Sequence, residues 1–71
     1  MEKFFEVYDI AVKVYGLSRL VHVDLEEAYI RIYQDEQIIV RVDGNFEELE
    51  DLYIAAALRL LQWMQMRGVK L

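Results

Sequence analysis

Residues 1–71 predict a single α+β domain of two layers, a small antiparallel sheet packed against two helices in the order α-β-β-(β)-α. Three observations carry that prediction. Polar residues recur at helical spacing over residues 2–15, the chain alternates at strand period over 20–43, and helical period returns from Asn45 onwards for longer than a strand runs. At 56% hydrophobic and 30% charged, the chain is too apolar for intrinsic disorder. It has no proline and no Ser/Gly-rich linker, and its glycines at 16, 44 and 68 fall where the period changes, as chain reversals of positive φ do.

In the first helix Glu2, Glu6, Asp9 and Lys13 are spaced by four, three and four residues and so share one side. Phe4, Phe5, Val7, Tyr8, Ala11, Val12, Val14 and Tyr15 cover about 180° of the remainder, with Ile10 at the margin. Gly16 is expected as a left-handed cap, with Leu17 folding back on Val12 in a Schellman motif. Residues 20–25, with Val21, Val23 and Leu25, are expected as the bracketed strand, because the link Glu26-Glu27 has no strong turn residue. The next two strands centre on residues 29–33 and 38–42. A three-residue loop, Asp35-Glu36-Gln37, is expected between them, since it sets Ile32 against Val40 and Ile30 against Val42 on an aliphatic face. Asp43-Gly44 reverses the chain, Asn45 and Glu48 form a capping box, and a long helix runs to about Arg67. Its acids come early and its basic residues late, the order that complements a helix dipole.

On that second helix Phe46, Leu49, Leu52, Tyr53, Ile54, Ala56, Ala57, Leu60, Leu61, Trp63 and Met64 span about 200°. A helix on one sheet needs an apolar stripe little wider than 100°. A chain this short buries only about 60% of the surface its unfolded form exposes, so the excess width predicts a contact between molecules, with a symmetric homodimer as its simplest form. The expected interface is Tyr53, Ile54, Ala57, Leu61, Trp63 and Met64. The alternative is two helices packed side by side in one chain, with Ala55, Ala56 and Ala57 allowing close approach. On the other sheet face, Tyr29, Arg31, Tyr33, Ile39 and Arg41 are a candidate second binding face, for a protein or for stacked bases, or an ordinary solvated face. The function expected is therefore non-catalytic: a homo-oligomerising or protein-binding module that acts through the apolar surface of the C-terminal helix. Glu47, Glu48, Glu50 and Asp51, with Asp35 and Glu36, support a different reading. That reading is an acidic inhibitor protein, a nucleic-acid mimic that occupies a basic groove on its target.

Chemistry has little to work with. Without cysteine there is no disulfide, thiolate metal site or thiol nucleophile. Ser18, His22 and Asp24 lack the Gly-rich turn and oxyanion hole that a triad needs. His22, Asp24, Glu26 and Glu27 read as a charged strand end, and Asp43-Gly44-Asn45 as a turn and cap without the spacing of a calcium loop. No catalytic residue, metal or cofactor is expected. A net charge of −5 opposes direct binding to a nucleic-acid backbone. The longest apolar stretch, 52–66, is broken by Arg59, Gln62 and Gln65 and is too short to span a bilayer. A cytoplasmic protein with no membrane contact is expected.

The α-β-β-β-α order over about 70 residues resembles the double-stranded RNA-binding domain. Ala55-Ala56-Ala57-Leu58-Arg59-Leu60-Leu61 looks like the alanine-rich second helix of that family. That family opens its second helix with a basic cluster that meets phosphates. This chain has Glu47-Glu48-Leu49-Glu50-Asp51 at that place. The resemblance therefore implies shared topology and not RNA binding, since carboxylates repel phosphates.

Overall fold

The computed structural model describes residues 2–67. In chain order these form α1 (Glu2–Tyr15), β1 (Ser18–Val23), β2 (Ala28–Gln34), β3 (Gln37–Gly44), a 3₁₀ turn (Phe46–Glu48) and α2 (Leu49–Met66). The three strands pair antiparallel in the order β1-β2-β3. Both helices supply the core that covers one sheet face, which is the predicted two-layer α+β fold with its third strand present.

The first helix ends as its glycine requires. Gly16 has φ +68°, and its N–H donates to the Val12 carbonyl at 2.9 Å. That one bond is the simpler left-handed cap rather than the expected Schellman pair, although Leu17 is buried. The strand that follows starts and ends two residues earlier than expected. Leu25 is not in it but in the connection to β2, where it is 91% exposed. Asp24 supplies the turn chemistry that the Glu26-Glu27 link lacks. Its Oδ1 accepts the N–H groups of Glu26 (2.9 Å) and Glu27 (2.8 Å), and its own N–H donates to the Glu27 carbonyl at 2.9 Å.

The β2–β3 register is the predicted one, reached by another route. Ile32 pairs with Val40 and Ile30 with Val42, yet the loop is the two residues Asp35-Glu36, because Gln34 pairs with Gln37. A two-residue loop alone would exchange the faces of β3. Here Tyr33 pairs with Ile38 and Ile32 with Val40, so Ile39 is an extra residue, a β-bulge that restores the aliphatic face. Both loop residues have positive φ, 50° at Asp35 and 69° at Glu36. That is the conformation of a primed hairpin turn, which favours Asn-Gly.

The second helix also starts differently from the capping-box expectation. Asn45 makes no side-chain cap; its backbone carbonyl accepts the Glu48 N–H at 3.0 Å, and the 3₁₀ turn leads into α2. Gly44 is not at positive φ. A Cβ there would lie 2.9 Å from the Leu52 side chain, so this glycine lets α2 approach β3. Gly68 lies outside the described residues.

Between the layers, Ala28, Ile30, Ile32, Val40 and Val42 meet Phe4, Val7, Tyr8 and Ala11 of α1 and Leu52, Tyr53, Ala56, Ala57, Leu60 and Met64 of α2. Phe4 packs edge-on to Tyr53 at 5.1 Å near the start of both helices, and Tyr15 edge-on to Trp63 at 4.7 Å near their ends. The helices therefore run side by side in the same direction. The buried Ala11 and Ala57 have the short side chains that such close packing needs.

Two substitutions test this account. Replacing Asp35-Glu36 by Asn-Gly removes roughly 1 kcal/mol or more of left-handed strain. It should raise the urea midpoint by an equivalent amount and leave the Ile32–Val40 pairing intact. The Tyr15 hydroxyl is buried with no hydrogen-bond partner. Tyr15→Phe should therefore stabilise the fold by about 1 kcal/mol in the same measurement, as removal of an unsatisfied buried polar group does.

Candidate functional site

The wide apolar arc of α2 is mostly consumed inside the chain. Of the six residues expected to form an interface, Tyr53, Ala57 and Met64 are buried by the chain's own α1 and sheet. Trp63 is half-buried against Tyr15, with the Arg67 guanidinium 4.7 Å from its ring centre. Leu61 is half-buried and Ile54 is 50% exposed. The arc's width is thus largely the side-by-side packing of two helices, and does not in itself require a second molecule.

A narrower stripe stays uncovered. Ile54, Leu58 and Leu61 are spaced by four and three residues, so they stand in one line along α2, and Leu58 is 57% exposed. Leu58 lies outside the expected 200° set, although its spacing from Ile54 is the signal that finds it. With Lys3, Phe4, Tyr53 and Ala57 these three side chains line a shallow groove of about 100 Å³ between the helices. Ile10 and Val14 follow Lys3 at steps of seven and four along α1. They extend the same flank, and both are exposed.

The outer sheet face carries Tyr29, Arg31, Tyr33 and Arg41, as the alternation requires, and with them Leu20, His22, Ile38 and Asp43. Ile39 departs from the expected set, since as the bulge residue it is half-buried against the core. The cations are already engaged. The His22 ring stacks on Tyr29 at 4.9 Å, and the Arg31 guanidinium lies 4.2 Å from the Tyr29 ring centre. Asp43 lies 3.7 Å from Arg31 and 3.2 Å from Arg41, offsetting the repulsion of two arginines paired directly across the strands. A face organised in this way neutralises its own charge, which weakens the case for base stacking.

The β1–β2 turn gathers a second set of titratable groups. Donor atoms of His22, Asp24 and Glu27 lie within 4.8 Å of one another. They are the groups here that could hold a metal ion. Both Asp24 oxygens are occupied, however, Oδ1 by two backbone N–H groups and Oδ2 by His22 Nε2 at 3.0 Å. Turn geometry accounts for the cluster. The acids of the mimicry reading remain exposed, and none forms an ion pair among the described residues. They fall into two groups at opposite ends of β3, with Asp35 and Glu36 before it and Glu47, Glu48, Glu50 and Asp51 after it. At about 3.3 Å per residue, that strand holds the groups some 20 Å apart.

No family model, curated protein or solved structure matches this chain. Among the described residues, no helix is long and apolar enough to cross a membrane.

The turn makes a pH prediction. The N–H groups of Glu26 and Glu27, followed by His22, hold the Asp24 carboxyl below its ordinary value. The unfolded chain therefore takes up this proton at a higher pH than the folded chain does. The stabilisation is complete above the unfolded value of about 3.9 and is lost as pH falls through the lower folded value. Asp24→Asn, whose amide oxygen can still accept the turn bonds, should flatten the acid limb of a stability-against-pH curve. The variant should be less stable than the parent near neutral pH, and the two should converge in acid, where Asp24 is itself uncharged.

Proposed function

We propose that the protein is a non-catalytic homo-oligomerising or protein-binding module that acts through the apolar surface of α2, in a cytoplasmic setting. The observation that carries this reading is the stripe Ile54-Leu58-Leu61, which stays open to water beside the groove although the core below it is complete. Scattered apolar side chains on a surface are ordinary, but Ile54, Leu58 and Leu61 stand in one line along an apolar groove. A second copy of the chain is the simplest partner, because a two-fold axis sets the same stripe against itself. The chemistry suits it: in α2 no acid follows Asp51, so acids border the stripe only at its N-terminal end.

The acidic-inhibitor reading rests on the exposed acids Glu47, Glu48, Glu50 and Asp51 at the start of α2. Salt separates the two. Association through apolar surface persists or strengthens as salt rises, whereas binding of a basic groove weakens steeply.

Light scattering across a dilution series should show the molar mass rising from that of one chain toward that of two, at low and high salt alike. Leu58→Glu should weaken this association by at least about tenfold, since burying a leucine is worth about 1.5–3 kcal/mol. A mass of one chain at every concentration overturns the homodimer.

A further inference from the structure

The two edges of the sheet are not alike. On β3, the Arg59 guanidinium reaches over from α2 and donates to the Arg41 carbonyl at 2.9 Å, and the bulge at Ile39 interrupts the ladder. Side-chain cover and bulges are the devices that keep an edge from pairing with another chain. β1 carries neither, and it has no proline and no lysine.

The direction of its backbone groups follows from the turn. The Asp24 N–H donates to the Glu27 carbonyl, so these two residues form a hydrogen-bonded pair. Alternation then turns the backbone of Ser18, Leu20 and His22 toward β2 and that of Arg19, Val21 and Val23 outward. The one charged side chain that β1 itself carries on the helix side, Arg19, is folded back, its guanidinium 5.1 Å from the Phe5 ring centre and 4.7 Å from that of Tyr8. Leu20, Val23 and Phe5 are exposed beside the same edge.

We propose that a second copy of this chain adds to β1, antiparallel about a two-fold axis at Val21, so that two three-stranded sheets become one. The strand's own sequence selects the occupant. Directly opposed residues must share a sheet face, so an axis perpendicular to the sheet falls on a residue. At Val21 it sets Arg19 against Val23 of the second copy and Leu20 against its His22, and every outward N–H and C=O of Arg19, Val21 and Val23 gains a partner. Ser18 meets Asp24, a hydroxyl donor against a carboxylate. No like charges are opposed, and residues 10–23 contain no acid in a chain of net charge −5. This contact uses a different surface from the α2 stripe and does not depend on it.

Amide hydrogen exchange of the intact protein, followed residue by residue across a dilution series, tests the proposal. The N–H groups of Leu20 and His22 should be protected at all concentrations. Those of Arg19, Val21 and Val23 should exchange rapidly in dilute solution and slow by about tenfold or more once the strands pair. Val23→Pro removes an outward N–H that no internal bond uses, and should abolish the concentration-dependent protection of Arg19 and Val21. Leu58→Glu should leave that protection in place, which separates this contact from the helical one. Rapid exchange of Arg19, Val21 and Val23 at every concentration overturns the proposal, whatever the molar mass.

Discussion

The pairing of Ile30 with Val42 and of Ile32 with Val40 is the constraint on which the rest of the molecule depends. These four side chains, with Ala28, make one face of a three-stranded sheet aliphatic, and they do so only while β3 stays in register. A slip of one residue would turn Arg41 toward the helices and expose Val40 and Val42. The bulge at Ile39 holds the register, and the strained Asp35-Glu36 turn is tolerated because packing on the aliphatic face over-determines it. Once that face exists it needs a cover, and one amphipathic helix is too narrow for the task. Two parallel helices provide it, brought close by alanines at the helix contact and by Gly44 beneath Leu52.

What that arrangement leaves uncovered defines the molecule's outer surfaces. Two helices side by side have a seam on the solvent side, and the apolar residues that flank it cannot all turn inward, since the inward arc of α2 is already filled by Leu52, Ala56 and Leu60. Ile54, Leu58 and Leu61 form the flank that remains. Among the described residues no element covers the far face of the sheet, which carries a chain of contacts from Asp24 through His22, Tyr29 and Arg31 to Asp43. The helical layer leaves apolar side chains exposed, while the sheet layer pairs its charges with one another even though Arg31 Nε stays buried without a partner.

Much of this was legible in the residues because it rests on period. The limits of α1, the change to alternation and the aliphatic face need only spacing and side-chain type. The misreadings share a cause, which is that two physical solutions give the same spacing. A three-residue loop and a two-residue loop with a bulge both place Ile32 opposite Val40, and only backbone angles distinguish them. The residue type of Asp24 shows its charge, whereas in the fold it acts through Oδ1 as a local hydrogen-bond acceptor that forms the turn. The apolar arc of α2 shows how much surface must be hidden but does not name what hides it, so Tyr53, Ala57 and Met64 were assigned to a partner when α1 and the sheet already cover them. Leu58 lay outside the arc as drawn, although it completes the line between Ile54 and Leu61.

Charge distribution links the two proposed contacts. A chain with 13 acidic and 8 basic residues repels its own copies, so self-association is favoured only where acids are absent from the meeting surfaces. The two longest acid-free stretches are residues 10–23 and 52–71. The first includes β1, with Ile10 and Val14 at its start, and the second includes the Ile54-Leu58-Leu61 stripe. Each contact joins identical surfaces about a two-fold axis, and one lies on the helical layer while the other lies along a sheet edge. A chain with two such contacts either closes into a four-chain assembly, if the axes intersect, or continues as an open row. The acids in the β2–β3 turn lie outside both surfaces, and Glu50 and Asp51, four and three residues before Ile54, border the stripe at its N-terminal end.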